Sequence, residues 1–259
     1  MIVDVHAHLD HPDIEKRIDE VILNAKNAGV KLIVTNGINH ATNVKSLLLS
    51  KKYDIIKCAL GFYPQDALKK EVGSGEYPLA LAEEHIDDEI NFIEKHKNDI
   101  IAIGEVGLDY QNGHDKETQK DAFLKIINLA KTLDKPLIIH SRKAEEDVIT
   151  MLEENHAKKV VLHCFCGKKS LVARASKNGW SFSVPTNIVR AENFQLLVKE
   201  VPLSQLLTET DAPYLSPFKE KKNEPAFIVE TIKKIAEIKQ METEEVENIL
   251  YMNFQRLFL

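Results

Sequence analysis

The chain has 259 residues, 44% of them hydrophobic and 29% charged, with a formal net charge of −6 at pH 7. This length suits one α/β barrel, and no run of about 18 apolar residues is present to cross a bilayer. The acidic balance excludes broad coating of nucleic acid, which needs many Lys and Arg on phosphates, but permits local contact with a nucleic-acid end. A single domain over residues 1–259 is expected. The sparse, odd cysteine set, Cys58, Cys164 and Cys166, suits a reducing compartment. No basic segment or apolar h-region precedes the strand-like IVDVHAHL, so a cytoplasmic protein is expected, with a monomer favoured.

Eight short apolar runs, each ending in polar or glycine-containing sequence, alternate with helix-period segments. The first is IVDVHAH from residue 2, followed by a helix over 13–28 that Gly29 stops. KLIVTNG begins at 31 and IIKCALGFY at 55. The connection over 64–99 is long, and its GSGEYP reads as an exposed loop before a helix at 80–97. IIAIGEVGLD starts at 100, and between 115 and 133 Phe123, Ile126, Ile127, Ala130 and Leu133 form one helical stripe. PLIIHSR from 136 leads to a helix over 144–156, and KVVLHCFCG from 159, WSFSVP from 180 and QLLTETDAPYL from 205 complete the strands. Two helices, 223–238 and 242–257, end the pattern. Alternation of buried strands with amphipathic helices predicts a parallel sheet, and eight repeats predict a closed (β/α)8 TIM barrel. No Gly-x-Gly-x-x-Gly follows the first strand, so a dinucleotide-binding open sheet is not supported.

Chemistry-bearing residues gather at the downstream ends of these runs, the face on which such barrels build their sites. In DVHAH the period of two puts Asp4, His6 and His8 on one strand face, with Asp4 placed to orient an imidazole by accepting its second N–H. Glu105 follows IIAIG, where a buried carboxylate needs a cation or hydrogen-bond donors. His140 closes LIIH, His163 closes VVLH, and Asp211 ends the eighth run in TETDAP, with Glu209 sharing its parity. Singly each has a plain reading as a core, cap or turn residue. Four imidazoles and two carboxylates converging from five strands point to divalent cations, and closely spaced cations point to hydrolysis. Nitrogen ligands suit zinc, while carboxylates and open positions also accept manganese or magnesium.

The motifs DVHAHLD at 4–10, GEVGLDY at 104–110, IIHSR at 138–142, LHCFCG at 162–167, ETDAPYL at 209–215 and KKNEP at 221–225 occur in order. With them the whole chain resembles the TatD family of metal-dependent deoxyribonucleases. That resemblance implies two divalent metal cations, one held by His6, His8 and Asp211, the second by His140 and His163, with Glu105 as the bridge. It also implies cleavage of phosphodiester bonds in DNA from an end, with Asp211 as the base. The sequence departs from the family where GFYPQDA replaces a frequent His-Pro-His, placing Tyr63 and Gln65 at histidine positions. Lys143 stands for an acidic residue, and Lys222 for an arginine, losing the planar fork. Arg142 first, Lys222, and least of all Lys168 and Lys169 could meet phosphates, and Tyr63, Tyr110 and Phe165 could stack on bases, although singly the lysines read more plainly as coating a solvated helix start and the aromatics as roofing the barrel. His11, His114 and His156 read as surface residues. Two other functions compete. A barrel hydrolase of small amides, lactones or phosphoesters commonly bridges its metals through a carboxylated lysine on the fourth strand, where this chain has Glu105. A non-catalytic metal binder would be expected to have lost a ligand.

Overall fold

The computed structural model describes residues 1–75 and 84–259. Eight strands run in sequence order: β1 Ile2–Ala7, β2 Val30–Asn36, β3 Ile56–Phe62, β4 Ala102–Asp109, β5 Leu137–Arg142, β6 Val160–Leu162, β7 Ser181–Val184 and β8 Leu206–Thr208. Every neighbouring pair from β1–β2 to β7–β8 is parallel. The helices between them are α1 Pro12–Glu15, α2 Ile18–Asn27, α3 His40–Lys52, α4 Gln65–Ser74, α5 Ile86–Lys95, α6 Lys116–Leu133, α7 Glu145–Glu154, α8 Lys169–Lys177 and α9 Glu192–Glu200. α10 Ile228–Lys239 and α11 Thr243–Phe258 follow the last strand. The architecture is the expected TIM barrel. Its seam between β8 and β1 is tied just beyond the ladder: the Asp211 N–H donates to His6 O and the His8 N–H to Ala212 O, each at 2.8 Å. The Thr208 hydroxyl donates to Val3 O at 2.8 Å.

α6 shows how the sequence makes these elements. The Asp115 side chain accepts the Thr118 N–H and so satisfies an orphan donor of the first turn, and Asp134 ends the helix with φ 52°. Phe123, Ile126, Ile127 and Ala130 are buried along one stripe, with Leu133 packed at its edge. Burying each large side chain contributes about 1.5–3 kcal/mol, so Phe123→Ala would loosen this helix by about 3–5 kcal/mol. A second group takes Val3, Val5, Val34, Ala59, Ala102, Ile138, Val161 and Leu207 from seven strands into contact with Phe254 and Phe258 of α11. Ile138 and Val161 precede His140 and His163 by two residues, so this apolar layer lies beneath them on the same strand faces.

Three helical segments differ from expectation. The helix over 13–28 is two, because the chain leaves helical geometry at Arg17, with φ −131° and ψ 28°; Gly29, with φ 88°, follows its end. The connection after β3 holds α4, so Gly73 and Ser74 are helical and Gly75 caps them at φ 79°. The rest of the anticipated loop, to residue 83, lies outside the described residues, and the next helix begins at Ile86. Among the described residues no helix is long and apolar enough to cross a membrane.

Candidate metal centre

His6 lies in β1 and His8 just beyond it, Glu105 in β4, His140 in β5, His163 directly after β6, and Asp211 in the turn after β8. The barrel brings all six together. Glu105 stands at the middle, with its two oxygens facing different partners. Its Oε2 lies 3.5 Å from His6 Nε2 and 3.3 Å from His8 Nε2. Its Oε1 lies 2.8 Å from His140 Nδ1 and 3.7 Å from His163 Nε2. Asp211 Oδ1 is 3.5 Å from Nε2 of both His6 and His8. The donor atoms of His6, His8 and Glu105, and those of Glu105, His140 and His163, each lie close enough to share one ion. Asp211 reaches this position through a left-handed turn at φ 55°, a conformation that Asp tolerates better than most residues.

The hydrogen-bond pattern fits a cation. His8 Nδ1 sits 3.1 Å from the carbonyl of Asn36, which only accepts, so Nδ1 carries a proton and Nε2 points its remaining site at Glu105 and Asp211. His163 repeats the arrangement. Its Nδ1 lies 3.0 Å from Glu209 Oε2, and the other oxygen of Glu209 accepts the Cys164 N–H at 3.0 Å. His6 stacks on His163 with centroids 3.9 Å apart, and its buried Nδ1 has no hydrogen-bond partner among the described residues. Unprotonated imidazole nitrogens facing carboxylate oxygens repel unless a proton or a cation lies between them.

In the metal-free chain, protons fill that role. Burial works against a charged imidazole, yet hydrogen bonding to Glu105 and the charges of Glu105 and Asp211 raise His8 to about 9. Burial is likewise outweighed at His140, raised to about 10 by Asp109 and Glu105, and at His163, raised to about 9 by Glu209. Burial and the neighbouring His163 instead lower His6 to about 4. Glu105 stays well below the usual carboxylate range because, against its burial, His140, His6 and His8 donate to it. Burial raises Asp211 to about 7.

Beside these residues opens a cavity of about 480 Å³, lined by His8, Glu105, His140, His163 and Asp211 together with Tyr63, Glu71, Arg142, Lys143 and Tyr214. Arg142 is half-exposed there, 3.7 Å from Glu71. The residues read as candidate substrate contacts lie in different surroundings. Lys222 does not line the cavity, and its ammonium lies 3.3 Å from Asp13. Tyr63 lines the cavity but is only 4% exposed, with its hydroxyl bound to Asp109, Glu71 and His140, so its ring is not free to stack on a base. Phe165 is buried against Phe182, and the Tyr110 hydroxyl is turned to Asp147. Lys168 and Lys169 begin α8 away from the lining, and Lys169 pairs with Glu200. Asp4, expected to orient an imidazole, accepts from the Thr210 N–H at 2.9 Å and its hydroxyl at 2.5 Å, and so stitches the seam. Burial raises it to about 8. His11 is buried, with Nδ1 accepting the Asp13 N–H at the start of α1, whereas His114 and His156 are exposed as expected.

Two polar residues at the site were not anticipated. Asp109 is fully buried behind His140, and Glu71 enters the cavity from α4. Asp109 carried a readable signal, because Glu105, Gly107 and Asp109 alternate along one strand face. Glu71 carries none, because the sequence after the third run shows no helical pattern there.

The family model for TatD related DNase matches residues 3–259. The chain belongs to the TatD-related DNase family. It is 36% identical to the human "Deoxyribonuclease TATDN3" over 99% of this chain and 94% of the relative. It is 37% identical to YabD of Bacillus subtilis, described as an uncharacterized metal-dependent hydrolase, over 100% of this chain and 99% of that one. The crystal structure of YJJV, a TatD homologue from Escherichia coli, superposes with a TM-score of 0.85 at 25% identity, covering 99% and 97% of the two chains. This TatD-family protein is therefore a metal-dependent hydrolase, and its clustered histidines and carboxylates supply a metal site.

Proposed function

We propose that this protein hydrolyses phosphodiester bonds at DNA ends with two divalent cations, zinc, manganese or magnesium. The observation that carries this reading is the division of the donor set by Glu105, whose two oxygens face two separate groups of imidazoles. His6, His8 and Asp211 would hold one cation, His140 and His163 the other, and Glu105 would bridge them. When bound, such a pair polarises a phosphoryl oxygen and lowers the pKa of water.

The chain's own residues supply the rest. Arg142 and Lys143 bring positive charge to a cavity otherwise lined by several carboxylates, and so hold the phosphate beside Glu105. Asp211 stands at the cavity edge of the first group, where it accepts the proton that the attacking water gives up. Water adds its oxygen to phosphorus, the bond to the sugar oxygen breaks, and that oxygen leaves with a proton. A glutamate bridge in place of a carboxylated lysine favours this chemistry over that of amide and lactone hydrolases. The deciding experiment incubates purified protein and Mg²⁺, Mn²⁺ or Zn²⁺ with end-labelled single-stranded and duplex DNA, beside a panel of small esters, lactones and amides. Stepwise release from DNA ends supports the assignment, whereas turnover confined to lactones or amides overturns it.

A further inference from the structure

Behind His140, on the side away from Glu105, lies a second polar group. Asp109 ends β4 four residues after Glu105, with Gly107 between them on the same strand face. Gly107 has φ 142°, and a Cβ there would stand 2.0 Å from His140 O, so a bare backbone is what lets β4 and β5 approach at this level. Asp109 is anchored on one side, where Oδ1 accepts the backbone N–H groups of Gln111 and Asn112, each at 2.8 Å. Its Oδ2 faces His140 Nε2 at 3.3 Å and the Tyr63 hydroxyl at 2.9 Å. The Tyr63 oxygen is itself 3.1 Å from His140 Nε2, and its single proton goes to Asp109 or to Glu71, 3.1 Å away.

A carboxylate only accepts, and a phenol that has given its proton to a carboxylate accepts through its oxygen. The outer nitrogen of His140 therefore faces acceptors alone and keeps its hydrogen. The inner nitrogen, Nδ1, faces Glu105 and is the one that yields its proton to a cation. We propose that Asp109, assisted by Tyr63, is a positioning residue that holds His140 with hydrogen on Nε2 and so completes the cation position formed by Glu105, His140 and His163. Asp109 touches neither cation nor substrate in this role. The inference rests on the two-cation reading above, and it replaces base stacking as the work of Tyr63.

Asp109→Asn is the sharp test because it keeps shape and reverses polarity. The backbone N–H groups of Gln111 and Asn112 need the amide oxygen, so the amide NH₂ turns toward His140 and presents a donor to Nε2. The imidazole must then carry its hydrogen on Nδ1, where it blocks a cation. Tyr63→Phe removes one hydroxyl and leaves the carboxylate.

The experiment counts zinc per chain after equilibration at graded free zinc, and records ¹⁵N spectra of histidine-labelled, zinc-loaded protein. Wild type is expected to bind two ions, with His140 hydrogen on Nε2. Asp109→Asn is expected to keep one ion, to bind the second roughly 10–100-fold more weakly, and to lose that His140 signature; Tyr63→Phe weakens the second ion less. Two ions with unchanged affinities in Asp109→Asn, or loss of both, overturns the proposal. If Asp109→Asn does not fold, Tyr63→Phe decides, and unchanged affinity for the second ion overturns it. A wild type that binds one ion overturns the two-cation reading instead, and the His140 signature in Asp109→Asn still judges the positioning role.

Discussion

The two donor groups that share Glu105 are secured by different parts of the chain. His6, His8 and Asp211 are set mainly by backbone, through the Asp211 N–H on His6 O, the His8 N–H on Ala212 O and the Asn36 carbonyl beneath His8. His140 and His163 are set by side chains, Asp109 and Tyr63 behind one and Glu209 with the Ser183 hydroxyl behind the other. A group built from the barrel seam cannot be retuned without disturbing the barrel. A group built from supporting side chains can be weakened or strengthened by one substitution. On the proposed two-cation reading, the first would be the tighter and more rigid position, and the second the one where affinity and metal choice are adjusted.

The change expected to act most strongly is Glu105→Ala, which takes a ligand from both groups at once. Metal analysis should find almost no bound ion and DNA cleavage should fall to background; two retained ions would abolish the bridge. Asp211→Asn strikes the first group alone. Its kcat is expected to fall about 10²–10⁴-fold with KM little changed, and an unaltered rate at saturating DNA would remove Asp211 as the base.

Acidity gives an intermediate effect with opposite signs for free and loaded protein. In the free chain His8 and His163 are raised to about 9, His140 to about 10 and Asp4 to about 8. Groups raised above their unfolded values stabilise the fold at low pH and lose that contribution as pH climbs through the folded value. The lowered groups, His6 at about 4 and the carboxyls of Glu105 and Glu209, titrate below this window. Metal-free protein is thus expected to melt at lower temperature as pH rises from 7 to 9. Metal binding would expel protons from His8, His140 and His163, so zinc affinity should rise over that interval; calorimetry in two buffers of different ionisation enthalpy would expose the released protons, and their absence would contradict the assignment.

Smaller effects lie at the cavity wall. Arg142→Ala should reduce the slope of log affinity against log salt by about 1, with kcat nearly kept. Lys222→Ala, already paired with Asp13 outside the lining, should leave KM for DNA within about twofold. A larger loss would return Lys222 to the substrate.

The barrel and the six clustered residues were legible because both depend on local pattern. Eight apolar runs mark strands wherever they pack, and a histidine such as His140 at the end of such a run falls on the active face by chain geometry alone. What escaped depends on distant partners. Tyr63 reads as an aromatic loop residue until β4 and β5 bring Asp109 and His140 to its hydroxyl. Phe165 reads the same way until Phe182 covers it. α4 was hidden because glycines at 73 and 75 bracket its end, and only the second is a stop. Asp4 was placed on the right strand, but its partner is Thr210, two hundred positions away.

That seam has a consequence for the timing of synthesis. His6 and His8 leave the ribosome about two hundred residues before the segment that carries Asp211 and holds both in register. A nascent chain stalled before the eighth strand owns five of the six clustered residues and no closed ring on which to mount them. On the proposed reading, competence to cut arrives only with the last staves of the cask.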